Sequence, residues 1–157
     1  MSLNFYCEEE KNSNKTLDSI NKYKNLFINY DEKIPSLSEA LSQMYKSSNL
    51  KDKKINELTE DIITKCKARI DPEFDFIKMK YFNLTKEDAY IICSYTCESL
   101  DEAFSPFRIL NKNLLSDNRK NSVNNISKYL YILLKSLRKL PRYYPKKSAL
   151  YRYITIY

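Results

Sequence analysis

Residues 124–141 read "NNISKYLYILLKSLRKLP". Ile126, Tyr129, Leu130, Leu133, Leu134, Leu137 and Leu140 recur every three or four positions, which places them along one broad stripe of an α-helix. Lys135, Arg138 and Lys139 fall near the end of that helix, where its dipole favours positive charge, and Pro141 stops it. An apolar stripe of this width is stable only when other elements cover it, so the segment demands a partner layer.

The preceding chain supplies helices for that layer. "TLDSINKYKNLFINY" places Leu17, Ile20, Tyr23, Phe27 and Tyr30 at helical spacing. In "SLSEALSQMYK", Ser36 follows Pro35 as an N-cap, with Glu39 three residues later at the spacing of a capping box. "KINELTEDIITKCKARI" repeats Ile55, Leu58, Ile62, Cys66 and Ile70 as one stripe on a helix of about four turns. Asp71 and Pro72 break that helix, and residues 72–82 read as one short helix or an irregular connection. In "NLTKEDAYIICSYT", Thr85 is a cap with Asp88 three residues on, and Ala89, Ile92, Cys93 and Thr96 share a face, which predicts a helix over about 86–97. Ser99 and Glu102 repeat the capping pattern, Pro106 should end the first turn or bend the helix, and a helix over about 107–115 follows. Beyond the turn-like "PRYYPKK", the residues "ALYRYITIY" are β-branched or aromatic at most positions and predict a strand. The expected fold class is mainly α, a compact bundle of about six or seven short helices ending in one β-strand.

The chain's 157 residues, 43% hydrophobic and 30% charged, suit one globular domain. The most restrictive count is that of glycine, which is zero. Glycine lets backbone close on a phosphate or take a positive φ, so a P-loop and a dinucleotide-binding G-x-G-x-x-G are both excluded. Histidine is also absent, which rules out Ser-His-Asp and Cys-His catalysis and leaves any metal to Cys, Asp or Glu. The net charge of +7 is unevenly spread: no acidic residue follows Asp117, so the last forty residues carry +10, while residues 1–117 hold 17 positive and 20 negative charges. No apolar run approaches the roughly 20 residues of a membrane helix, and the N-terminus lacks the apolar core of a signal peptide. A cytoplasmic location with reduced thiols is therefore expected, and the N-x-Ser/Thr triplets at Asn14, Asn83 and Asn125 read as chance.

Three constellations could carry chemistry. Cys93 and Cys97, four apart on a predicted helix, could form half a metal site, but with no second close pair and no histidine they are expected to be buried structural cysteines, with no metal. Glu8 and Glu10 in "CEEE" have the form of a paired-carboxylate site and are expected to be a solvated terminus. The basic final forty residues are interleaved with Tyr129, Tyr131, Tyr143, Tyr144, Tyr151, Tyr153 and Tyr157, a pattern suited to phosphates and stacked bases. The leucines of the same segment have a core to bury, so a solvated or phosphate-facing surface is favoured over a nucleic-acid partner.

Three pieces of the second half also stand in a telling order: "LTKEDAYIICSYT", "FSPFRILNKNLLS", and "YLYILLKSLRKLP" followed by "LYRY". In that order and spacing, residues 84–153 resemble the N-terminal helical part of the arginine-type mono-ADP-ribosyltransferases, the family with the Arg, Ser-Thr-Ser and Glu-x-Glu signature. The pieces are similar to the family's helix leading to a Tyr-Thr pair, its segment with a central Asn, and its Leu-rich helix, "LP" stop and first core strand. The resemblance implies an α+β fold of which this is the N-terminal part. It also implies that Arg152, with Tyr151 beside it, binds the phosphates of NAD, a task suited to the guanidinium fork. Tyr153 stands where the family has glycine, and no Ser-Thr-Ser or Glu-x-Glu element follows.

ADP-ribose transfer needs a carboxylate to stabilise an oxocarbenium-like ribose. The expectation is thus an N-terminal fragment of, or a degenerate, NAD-dependent protein-arginine ADP-ribosyltransferase, inactive alone, with no catalytic residue and with NAD a substrate only of a full core. On this reading residues 1–83 are unassigned helices, 84–147 the family-like helical part, and 148–157 the first core strand, truncated. The alternative is a non-catalytic helical interaction module. It would use its basic C-terminal surface to hold a protein or nucleic acid, or the unpaired strand 149–157 to bind a protein or to self-associate.

Overall fold

A computed structural model describes residue 27 and residues 30–141, and from Phe27 to Leu140 they form one unit. Residues 30–32 are helical. Seven α-helices follow among the described residues: α1 (Leu37–Lys46), α2 (Asp52–Ile70), α3 (Phe74–Lys80), α4 (Lys86–Thr96), α5 (Pro106–Leu114), α6 (Arg119–Ser122) and α7 (Ser127–Leu137). Single 3₁₀ turns at Asp71–Glu73, Glu102–Phe104 and Val123–Ile126 lead into α3, α5 and α7. The fold is mainly helical, with no strand among the described residues. The predicted strand at 148–157 and most of the predicted helix of residues 16–30 lie outside them.

The core forms around α7 as its sequence requires. α4 packs against α2, α5 and α7, while α1 packs against α2 and α7. Tyr129, Leu130, Ile132 and Leu133 of α7 are buried, together with Leu41, Met44 and Tyr45 of α1 and Leu58 and Ile62 of α2. Each such side chain contributes about 1.5–3 kcal/mol when taken from water. The buried face of α7 is wider than its apolar stripe, taking in Tyr131 and Ser136, whereas Leu134 and Leu137 are only half-buried. Two covering helices account for the width: α1 and α4 both pack on α7, so no single stripe describes its buried face.

Local chemistry sets the helix ends. The Ser36 hydroxyl accepts the Glu39 N–H at 3.1 Å, one half of the expected capping box. Ser36→Ala is expected to lower stability by about 1 kcal/mol, a fall of roughly 3–6 °C in the thermal midpoint by circular dichroism. An unchanged midpoint would show that the cap contributes nothing. At the other end of α1 the chain turns through Asn49, whose φ is 58°. In a protein without glycine, asparagine is among the few residues that take this left-handed position at low cost.

Between α4 and α5 one expectation holds and one is corrected. Pro106 ends the first turn and is itself the first residue of α5, where its missing N–H is not needed. Ser99 does not cap a helix. Its hydroxyl is buried without a partner among the described residues, and its N–H donates to the Ser105 hydroxyl at 3.0 Å. The cap is Asp101, which accepts the Ala103 N–H at 3.2 Å. Only one 3₁₀ turn forms there, because Pro106 has no N–H with which to continue it. The Tyr45 hydroxyl donates to the Phe104 carbonyl at 2.9 Å and ties this turn to α1.

Candidate functional site

The packing of α4 on α2 brings together three of the four cysteines in the sequence. Cys66 lies on the core stripe near the end of α2, Cys93 in the last turn of α4, and Cys97 at the residue that closes α4. The Cys66 and Cys97 sulfurs are 3.8 Å apart, those of Cys93 and Cys97 are 4.0 Å apart, and all three lie within 4.8 Å of one another. All are free thiols. Cys66 and Cys97 are sealed from solvent at 0% exposure, whereas Cys93 is half-buried.

Cations border the cluster on the α2 side. Arg69 Nη1 approaches the Cys97 sulfur at 3.9 Å. One turn earlier, Lys65 Nζ donates to Asp61 Oδ2 at 3.1 Å and to the Glu98 carbonyl at 2.8 Å, which fixes the chain as it leaves α4. The hydrogen bond from the Cys66 thiol, a second from Cys93, and the charges of Arg69 and Lys65 pull the Cys97 thiol down to about 6 despite its burial. Cys66 is pushed up by its hydrogen bond to Cys97 and by burial, and Cys93 is raised by burial and by the nearby Cys97. Within the cluster the thiolate form is favoured at Cys97 and disfavoured at Cys66 and Cys93.

The sequence reading joined Cys93 to Cys97 and treated Cys66 as one member of an apolar stripe. The structure makes Cys66 the nearest sulfur to Cys97, and Cys93 is half-buried rather than fully buried. The predicted face of α4 needs a larger correction. Its buried residues are Asp88, Ala89, Tyr90, Ile91 and Ser94, while Ile92 is half-buried and Thr96 exposed. Hydrogen-bond partners draw two polar residues inward, and apolar periodicity does not register them.

Asp88 is the more elaborate of the two. Its Oδ2 accepts the Thr85 N–H at 2.9 Å, the Thr85 hydroxyl at 2.8 Å and Lys139 Nζ at 2.6 Å, and its Oδ1 accepts the Ser136 hydroxyl at 2.8 Å. The Thr85 hydroxyl accepts the Asp88 N–H in return at 3.1 Å, completing the capping box expected of this pair. Burial alone would raise the Asp88 carboxyl; the Lys139 ammonium and the Thr85 and Ser136 donors hold it below its ordinary value. Lys139, read from sequence as part of a wet basic face, is therefore turned onto α4. The second polar residue, Ser94, donates to the Ile91 carbonyl at 2.5 Å and accepts from the buried Tyr129 hydroxyl at 2.7 Å.

A groove of about 460 Å³ lies between the end of α1, Phe104 and α5, bordered by Arg108, Lys112, Asn113 and Asn125. Its two cations are exposed, so it presents an ordinary polar surface. The expected NAD-phosphate residue Arg152, its neighbour Tyr151, the carboxylates Glu8 and Glu10, and the fourth cysteine, Cys7, all lie outside the described residues. No family model matches the chain, and no curated protein or solved structure matches it.

Proposed function

We propose that residues 84–153 are the N-terminal helical part of an arginine-type mono-ADP-ribosyltransferase-like protein, and that the 157-residue chain by itself does not transfer ADP-ribose. The supporting observation is the arrangement of the three segments that carry the resemblance. "LTKEDAYIICSYT" contains α4, "FSPFRILNKNLLS" contains α5 and "YLYILLKSLRKLP" contains α7, with α4 packed against both of the others. Tyr151 and Arg152 follow this group in sequence, after Pro141. In this reading the helices flank an NAD cleft whose floor is a β-core, and the Arg152 guanidinium makes paired, charge-assisted hydrogen bonds to the dinucleotide phosphates. No Ser-Thr-Ser or Glu-x-Glu element follows Arg152, and Glu8 and Glu10 precede the helical part, so in this reading the 157 residues lack the carboxylate that stabilises the ribosyl cation.

Labelled NAD and an arginine-rich acceptor test the reading. The chain alone is expected to transfer no label. Joined in frame to a β-core bearing Ser-Thr-Ser and Glu-x-Glu, it is expected to transfer label, and Arg152→Ala in that fusion should slow transfer roughly ten- to hundredfold, the loss of charged hydrogen bonds of about 1.5–3 kcal/mol. Robust transfer by the chain alone would contradict the missing carboxylate. A folded, active fusion indifferent to Arg152→Ala would overturn the assignment of that arginine.

A second reading, a helical interaction module without NAD chemistry, is favoured by one surface feature. Phe76 and Met79 of α3, with Phe82 just beyond it, are 69%, 85% and 79% exposed. Large apolar side chains left this exposed within one short segment are a feature expected of a protein contact.

A further inference from the structure

We propose that Cys66, Cys93 and Cys97 form a binding site for a thiophilic d¹⁰ metal ion, zinc(II) or copper(I), that staples the end of α2 to the end of α4. The distances carry the assignment. A metal bound to sulfur at about 2.3 Å separates its ligands by about 3.8 Å in a tetrahedral site and about 4.0 Å in a trigonal one. The two closest sulfur pairs here are at 3.8 and 4.0 Å, and the third sulfur pair lies within 4.8 Å. An ion therefore needs little rearrangement of the three sulfurs, whereas a disulfide would have to bring a pair to about 2.05 Å.

The setting suits such an ion in three further respects. Cys66 and Cys93 project from two helices that pack on each other, and Cys97 from the residue that closes one of them, so the backbone holds the sulfurs in place before the ion arrives. Arg69 lies beside Cys97 and offsets the excess negative charge that three thiolates place around a monovalent or divalent ion. Cys93, the half-buried member, is the part of the cluster closest to solvent. Binding releases the thiol protons to solvent. Donor chemistry narrows the ion: thiolate selects zinc(II) and copper(I) over calcium, magnesium and manganese, and the absence of histidine from the chain leaves sulfur as the principal donor. The site is independent of the ADP-ribosyltransferase reading, because none of its residues touches NAD in that scheme.

The test uses the reduced full chain under oxygen-free conditions, titrated in separate arms with Zn²⁺ alone and with Cu⁺ alone against a chelator of known affinity. One equivalent of at least one ion should bind. X-ray absorption at the metal edge should show three sulfur neighbours, at about 2.3 Å for zinc. Cys93→Ser, at the half-buried position, and Cys97→Ser should each weaken binding by more than about a hundredfold, since even outer partners of a metal are worth ten- to hundredfold. Circular dichroism establishes that each variant keeps its helices, and Cys93→Ser serves if Cys97→Ser does not fold. The bound ion should also raise the thermal midpoint of the wild type and leave that of Cys93→Ser unchanged. Equal affinity in wild type and a folded Cys93→Ser, or a shell of nitrogen and oxygen neighbours, would overturn the proposal, as would failure of both ions to bind.

Discussion

Asp88→Ala is expected to destabilise the helical unit by about 2–4 kcal/mol, measured by denaturant unfolding at neutral pH. Asp88 is 7% exposed, and its carboxylate accepts four hydrogen bonds, two from the Thr85 cap of α4 and two, from Ser136 and Lys139, that join α4 to the end of α7. Removing it strands the buried Ser136 hydroxyl, opens the Thr85 cap and leaves Lys139 without its partner. Lys139 is about one-third exposed and can turn to water, which keeps the loss below that of a fully buried pair.

The same residue gives a pH dependence of defined sign. Its folded-state carboxyl titrates below its ordinary value, so its contribution is complete above the unfolded value of about 3.9 and is lost as pH falls through the folded one. The stability difference between wild type and Asp88→Asn should accordingly be constant from neutrality to about pH 5 and shrink below about pH 4. A difference that does not change on acidification would mean that the carboxylate charge is not what holds the two helices.

Tyr129→Ala should cost still more, about 3–5 kcal/mol, since truncating a fully buried aromatic ring leaves a cavity that helices packed on several sides cannot close. Two milder substitutions separate ring from hydroxyl. Tyr129→Phe should cost only about 1 kcal/mol: Ser94 still donates to the Ile91 carbonyl, so no donor is left unpaired. Ser94→Ala removes the only acceptor described for the Tyr129 hydroxyl in a site at 0% exposure, and should cost about 1–3 kcal/mol. If Tyr129→Phe proves the costlier of the two, the direction assigned to that hydrogen bond is wrong.

How much of this was legible beforehand depended on how far apart the interacting residues are. The 52–70 helix, with Ile55, Leu58, Ile62 and Cys66 buried, follows its stripe because period and burial come from the same local repeat. The Thr85–Asp88 box was readable for the same reason, both partners lying within one turn. The buried face of α4 was not readable. Asp88 and Ser94 count as polar in any periodicity, and they turn inward only because Lys139, Ser136 and Tyr129 are waiting there.

The amino-acid sequence alone determined the capped starts of α1 and α4, that the helices must share a core, and which chemistries a chain without glycine or histidine cannot perform. Those properties rest on backbone geometry and side-chain type over a few residues. Tertiary structure decided which residues meet: Cys66 with Cys97 across 31 positions, and Asp88 with Lys139 across 51. The angle and offset at which one helix packs on another set such meetings, and no local repeat encodes them.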